Sequence, residues 1–268
     1  MQRLHRRAGK GMTAQDWSLG AGLQDQAVLV TGAASGIGRA TAQVMAALGA
    51  RVAALDVQET VREVVAELEG PGRHLPVVFD LADSGSMPAM VADIEERLGS
   101  LWALAHVAAH LRRKELGDVT EEDWDAQLDV NLKGSFFLNK AVGEAMIATG
   151  RGGRIINFTS GAWLTGPVHG SHIYVASKGG VVSMTRGFAR AYGPHGILVN
   201  CVSPGQIDTP MQHLDNLPEI VAAGIEQCPL GRMGQPEELA RVVAFLASEH
   251  ASFVSGATIN VSGALTMY

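Results

Sequence analysis

Tyr174 and Lys178 stand four residues apart in Ile-Tyr-Val-Ala-Ser-Lys. The run continues into Val181, Val182, Met184, Phe188 and Ala189, and that apolar spacing predicts a helix. Positions four apart share a helix face, so a phenol and an ammonium are expected side by side. A free phenol ionises near pH 10 and is a poor acid or base at neutral pH. A cation held beside it favours the phenolate, and the pair becomes a proton-transfer unit for an alcohol or a carbonyl. A single Tyr-x-x-x-Lys also arises as a surface lysine near a buried tyrosine, so its weight depends on what surrounds it.

Three other places carry matching chemistry. Residues 26–33 form a short apolar run that leads into Thr31-Gly-Ala-Ala-Ser-Gly36-Ile-Gly38, followed by a helical pattern. A strand, a glycine turn and a helix N-terminus together make an anion site, with backbone N–H groups and the helix dipole facing a pyrophosphate. Asp56 closes the next strand. An acid about 20 residues past such a turn accepts hydrogen bonds from ribose hydroxyls and repels a 2′-phosphate, which favours NAD over NADP. Helix capping is its ordinary alternative role, and Arg39 and Arg51 are nearby cations able to soften the preference. Asp80 ends the strand of 75–81 and faces either an adenine edge or nothing but its own loop. Ser160 ends the strand of 151–160, at the end of an open α/β sheet where ligands bind, with a hydroxyl able to donate to a carbonyl or alkoxide oxygen.

The elements that must position these groups alternate along the chain. Seven apolar strands alternate with helices and no linker divides them, which predicts one doubly wound, mostly parallel sheet. A helical pattern from 121 to 149 carries Asn131 and Gly134 mid-way, a local conflict that marks function or close packing. Arg112, Arg113 and Lys114 form a basic run, read as a solvated loop or as an attractor of an acidic substrate. Residues 206–235, rich in Pro and Gly, are expected to form a substrate lid. Residues 1–22 carry Arg3, Arg6, Arg7 and Lys10 and are expected to be a flexible arm, or an extension upstream of a start at Met12, rather than a transit-like segment. The catalytic domain is expected over 23–268.

Composition excludes several classes. With 268 residues, 47% hydrophobic content and 32 glycines, the chain can bury a large core. A net charge of −6 argues against nucleic-acid binding. No apolar run reaches the roughly 18 residues of a membrane span. Two cysteines, Cys201 and Cys228, suggest no disulfide framework and fit a cytoplasmic protein. No metal-ligand cluster is expected.

From about residue 24 to 263 the chain resembles the short-chain dehydrogenase/reductase family. The resemblance rests on Thr31 to Gly38, Asn131, Ser160, Tyr174-x-x-x-Lys178 and Pro204-Gly205-x-x-x-Thr209, in this order and on these elements. It implies a single-domain Rossmann-like fold with helices on both faces of a seven-stranded parallel sheet. It also implies an NAD(H)-dependent oxidoreductase that interconverts a secondary alcohol and a ketone. By resemblance, Tyr174 is the general acid/base and Lys178 lowers its pKa and holds the nicotinamide ribose. Ser160 orients the substrate oxygen, and Asn131 positions a water in a proton relay through Lys178. Cofactor contacts are expected from Gly32, Ser35, Gly36, Ile37, Gly38, Asp56, Asp80, Leu81, Ala108, Pro204, Gly205, Ile207 and Thr209, the last two at the carboxamide. Pocket candidates are Ala162, Trp163, Leu164, His169, His172 and Met211. The partner is a small-molecule alcohol or ketone, and a homotetramer is expected, or a dimer, with 121–149 and 174–193 at one interface. Departures are His106-Val-Ala-Ala109 where the family has Asn-Asn-Ala-Gly, Ser262-Gly-Ala264 for Asp-Gly-Gly, and one extra residue between Ser160 and Tyr174. Two alternatives stay open: an NADPH-dependent reductase of the 3-oxoacyl-carrier-protein type, disfavoured by Asp56, and a non-catalytic NAD-binding sensor or scaffold.

Overall fold

The structure is a computed structural model that describes residues 18–70, 73–166, 170–214 and 218–268. Seven parallel strands, β1 (Ala27–Thr31), β2 (Arg51–Asp56), β3 (Leu75–Val78), β4 (Leu101–His106), β5 (Gly153–Phe158), β6 (Ile197–Pro204) and β7 (Thr258–Val261), form one sheet in the order β3-β2-β1-β4-β5-β6-β7. The expected fold class is the observed one. The strands run almost without charge because both faces are covered. Along β1, Val28 and Val30 pack with α1 (Gly36–Ala47) on one face, while Ala27 and Leu29 join the core of the other. Several strands stop short of their expected ends. β3 stops at Val78, β4 at His106 and β5 at Phe158, so Asp80, Ala108 and Ser160 lie in the loops just beyond.

The helices α2 (Val61–Ala66), α3 (Met87–Leu98), α4 (Glu121–Leu128) and α5 (Ser135–Thr149) follow in order. The stretch expected as one helix from 121 to 149 is interrupted. Residues Asp129–Gly134 form a π turn between α4 and α5, and Asn131 and Gly134 sit inside it, fully buried. π turns occur mostly as single insertions and often at functional sites. Close approach explains Gly134: a Cβ there would lie 2.5 Å from the Leu81 carbonyl oxygen and collide with it. α4 begins at a capping box, with Thr120 and Asp123 bonding each other's backbone N–H groups.

The remaining helices are α6 (Ala162–Thr165), α7 (His172–Tyr192), α8 (Pro210–His213), α9 (Pro218–Gln227) and α10 (Pro236–Ala247). α7 begins two residues before Tyr174, so His172 lies in its first turn rather than in the preceding loop. Residues 18–22, counted with the extension, form turns pinned to the far end of α10. The Ala21 carbonyl accepts from Glu249 N–H at 3.0 Å. Residues 1–17 lie outside the described residues. Among the described residues, no helix is long and apolar enough to cross a membrane.

Candidate active site

The chain reverses its direction of sheet growth between β1 and β4, and a cleft of about 1150 Å³ opens at the strands' carboxyl ends at that point. Open α/β sheets bind ligands there. Gly32 leaves β1 at φ +70° and Gly36 enters α1 at φ +51°, conformations that side chains rarely adopt. A Cβ on Gly38 would collide with the Gly32 carbonyl oxygen, and one on Gly32 would sit 2.8 Å from Ala108 Cα. Ser35, Gly36, Ile37 and Gly38 therefore present bare backbone to the cleft at the N-terminus of α1. This is a cradle that fits a dinucleotide pyrophosphate. From across the cleft, Thr209 reaches over the turn to within 3.2 Å of where a Gly36 Cβ would lie. Pro204, Gly205 and Ile207 line the same wall.

Asp56 lies at the end of β2 beside this turn. Its carboxylate accepts from the Ala34 and Gln58 N–H groups, each at 3.0 Å, and is therefore fixed in place. Both nearby cations point elsewhere: Arg39 pairs with Glu67 at 2.6 Å, and Arg51 donates to the Asp25 carbonyl. Asp80 accepts from Ala82 N–H at 2.9 Å as a loop Asp does, and with Leu81 it also lines the cleft wall.

His106 occupies the position where the family carries Asn, and it links both halves of the site. Ser135 Oγ donates to the Asn131 carbonyl at 2.6 Å, so it must accept from His106 Nε2–H at 2.7 Å. His106 Nδ1 then accepts from the Thr31 hydroxyl at 2.8 Å, and that hydroxyl accepts from Ala108 N–H at 3.1 Å. Each donor has one acceptor, which fixes a neutral imidazole protonated on Nε2. Burial, and then the charge of Lys178, push the imidazole down to about 3. The unfolded chain takes up the proton near pH 6.5, so stability from this group is present above 6.5 and is lost as pH falls towards 3. At pH 5 the linked loss is on the order of 2 kcal/mol. Urea-unfolding free energies at pH 7 and pH 5 are expected to differ by about that much more in the wild type than in His106→Asn. Equal differences in the two proteins would refute the assignment.

Tyr174 is half-buried on α7, with its ring 5.5 Å from Lys178 Nζ. Burial pushes its phenol up to about 12, and a hydrogen bond with Ser160 and the charge of Arg113 pull the other way without offsetting it. The expected net lowering is thus reversed in the open cleft, because desolvation outweighs the neighbouring charge. Burial also brings the Lys178 ammonium down to about 8. Its Nζ donates to the Phe158 carbonyl at 2.9 Å, which holds the side chain beneath the cleft. Ser160 lines the cleft and also accepts from Ala162 N–H at 3.3 Å. Asn131 reaches the segment after β4: its amide donates to and accepts from the His110 backbone, both at 2.7 Å.

Of the pocket candidates, Ala162 and Met211 line the cleft. Trp163 packs edge-on against Tyr268 instead, while Leu164 is largely exposed and neither it nor His172 is part of the lining. His169 lies outside the described residues. The segment expected as a lid carries α8 and α9, and Ile220, Ala223, Gly224 and Gln227 of α9 line the cleft. Gln206, Leu265 and Thr266 also line the cleft, unmarked by any motif. Thr266 belongs to the C-terminal tail, which folds back so that its carbonyl accepts from Ser262 Oγ.

Residues 32–266 match the family model described as enoyl-(acyl carrier protein) reductase. The chain is 40% identical over 248 residues to a 3-oxoacyl-[acyl-carrier-protein] reductase of Thermotoga maritima, covering 91% of this chain and 99% of that one. It is 35% identical over 257 residues to an NAD-dependent glycerol dehydrogenase of Listeria innocua, covering 96% and 100%. Among solved structures it is similar to a short-chain type dehydrogenase/reductase from Mycobacterium marinum, with a TM-score of 0.85, 31% identity and coverage of 92% and 97%.

Proposed function

Since the chain belongs to the short-chain dehydrogenase/reductase family, we propose that it interconverts a secondary alcohol and a ketone by hydride transfer, with NAD preferred to NADP. The observation that carries this reading is the meeting of Ser160, Tyr174 and Lys178 in the cleft that the glycine turn opens into. When bound, the dinucleotide supplies the hydride acceptor or donor at its nicotinamide carbon. The protein supplies binding, orientation and proton movement.

In the oxidative direction, the Ser160 hydroxyl holds the substrate oxygen and Tyr174 Oη takes the hydroxyl proton. Lys178 holds the ribose end and, as a cation, stabilises the phenolate that proton transfer requires. Asn131 and Lys178 pass the proton outward through a water held on the Asn131 carbonyl. That oxygen accepts from Ser135 and keeps a second lone pair for the water. In the cleft as it stands, Tyr174 is protonated across neutral pH, so alcohol oxidation is expected to accelerate as pH rises towards 8, where the Lys178 ammonium begins to lose the charge that stabilises the phenolate.

Support for NAD comes from Asp56, fixed beside the turn while Arg39 pairs with Glu67 and Arg51 bonds the Asp25 carbonyl. Asp56→Ala should shift the ratio of kcat/KM for NAD over NADP by about 10-fold or more towards NADP. An unchanged ratio would mean that Asp56 does not face the ribose. The Thermotoga relative supports a second reading, reduction of a 3-oxoacyl thioester. NADH formation from a panel of secondary alcohols and polyols, set beside NADPH oxidation by a 3-oxoacyl thioester, separates the two. Dinucleotide binding without turnover in either assay would favour a non-catalytic sensor or scaffold.

We infer further a homotetramer in which α4, α5 and α7 form one interface. Trp124, Phe136 and Phe137 lie exposed there at 48%, 45% and 40%, an apolar face of the kind that subunit contacts cover. Two buried, unbridged cysteines support a reducing, cytoplasmic setting.

A further inference from the structure

Two members of the basic run Arg112-Arg113-Lys114 share one carboxylate. Arg112 Nη1 and Lys114 Nζ both bond to the Asp123 carboxylate, at 3.1 Å and 2.6 Å. Asp123 is buried, and those two cations together with the Thr120 hydroxyl and N–H occupy its oxygens. Arg112 and Arg113 both line the cleft that holds Ser160 and Tyr174, and Arg112 is there paired with Asp123.

The backbone carrying Arg113 is clamped on both sides. Asn131 takes both backbone groups of His110, and Gln127 Oε1 accepts from Arg112 N–H at 3.1 Å. Lys114 N–H donates to the Gly170 carbonyl at 2.9 Å. Gly170 approaches so closely that a Cβ there would press on the Lys114 backbone. The backbone on either side of Arg113 is thereby held by Asn131, Gln127 and Gly170. Arg113 is near enough to Tyr174 for its charge to act on the phenol.

Resting on the dehydrogenase reading, we propose that Arg113 anchors a carboxylate on the substrate, which makes the preferred substrates small hydroxy and oxo acids. Arginine pairs with a carboxylate through two parallel N–H···O bonds, so it fixes orientation as well as supplying charge. Because Arg113 and Tyr174 share one stretch of cleft, the carboxylate lies only a few carbons from the reacting carbon. A phosphate at the far end of a long thioester arm does not meet this condition. Among the described residues, the carboxylates that line the cleft are Asp56 and Asp80, on the side of the glycine turn.

The test compares 3-hydroxybutyrate with its methyl ester and its N-acetylcysteamine thioester, in the wild type, Arg113→Gln and Arg113→Lys. In the wild type kcat/KM should favour the acid by at least about 30-fold, and Arg113→Gln should lower the acid's value by about 100-fold while moving the neutral substrates less than threefold. Arg113→Lys should fall between, since it keeps the charge and loses the fork. A wild type indifferent to the carboxylate, or an Arg113→Gln that lowers all three substrates alike, would overturn the proposal. Calorimetric binding of 4-oxopentanoate against 4-oxopentanamide, with NADH present, reads the same contrast without turnover. Tighter binding of the acid that Arg113→Gln abolishes supports the anchor, and equal binding overturns it. Absence of turnover with every alcohol would count against the dehydrogenase reading, and this binding contrast would still decide the role of Arg113.

Discussion

Tyr174→Phe should lower turnover by about 1000-fold or more and leave dinucleotide binding within about threefold of the wild type. Positioned proton transfer contributes about 10² to 10⁴ to a rate, and here the hydroxyl is also the atom that meets the substrate oxygen. The variant keeps the ring, so α7 still packs and Lys178 keeps its bond to the Phe158 carbonyl. Only Oη, with its hydrogen bond to Ser160, is lost. The residual rate should also lose its rise with pH, because the group whose proton must leave is gone. NADH binding followed by fluorescence, together with steady-state rates from pH 6 to 10, checks both parts. A variant within tenfold of the wild type would mean that another group moves the proton.

Gly38→Ala should weaken dinucleotide binding by about 100-fold or more. The added Cβ would overlap the Gly32 carbonyl, which is backbone and cannot swing aside as a side chain can. Either the first turn of α1 moves away or the turn after β1 opens. Both outcomes take N–H groups off the pyrophosphate and disturb the packing of α1 against β1. A 100-fold loss corresponds to about 2.7 kcal/mol. Calorimetric titration with NADH reads it, and a thermal unfolding scan separates loss of binding from loss of fold. Affinity within threefold of the wild type would place the pyrophosphate elsewhere.

The sheet was readable from the sequence because its strands are covered on both faces and announce themselves as uncharged runs between glycine turns. The glycine turn was readable for a similar local reason: strand, turn and helix follow each other within a few residues. The interruption at Asn131 left a trace as two poor helix formers in one turn. Its form as a π turn did not, nor did the close approach of Gly134 to the Leu81 carbonyl, which is distant in sequence. The sign of the phenol's pKa shift was misread for a comparable reason. Spacing of four placed a cation beside Tyr174, but the depth of burial is set by the whole cleft.

The role of His106 was illegible as well. Its partners Thr31 and Ser135 are 75 and 29 residues away, and only the folded sheet brings them together. The basic run after β4 gave two readings that sequence could not separate. The pairing of Arg112 and Lys114 with the buried Asp123 appears only in the fold. Gln206 and Thr266 left no signal at all. One reaches the cleft through the lid, and the other through a tail that folds back over β7.

The most direct measurement of the central claim follows the hydride itself. A secondary alcohol turned over by the enzyme is prepared with deuterium on its carbinol carbon and incubated with NAD, and the reduced dinucleotide is examined by proton NMR. Deuterium on one face of nicotinamide C4, with none exchanged into water and none transferred by Tyr174→Phe in the same time, is the predicted result. Reduced dinucleotide without deuterium, or equal transfer by Tyr174→Phe, would contradict the account.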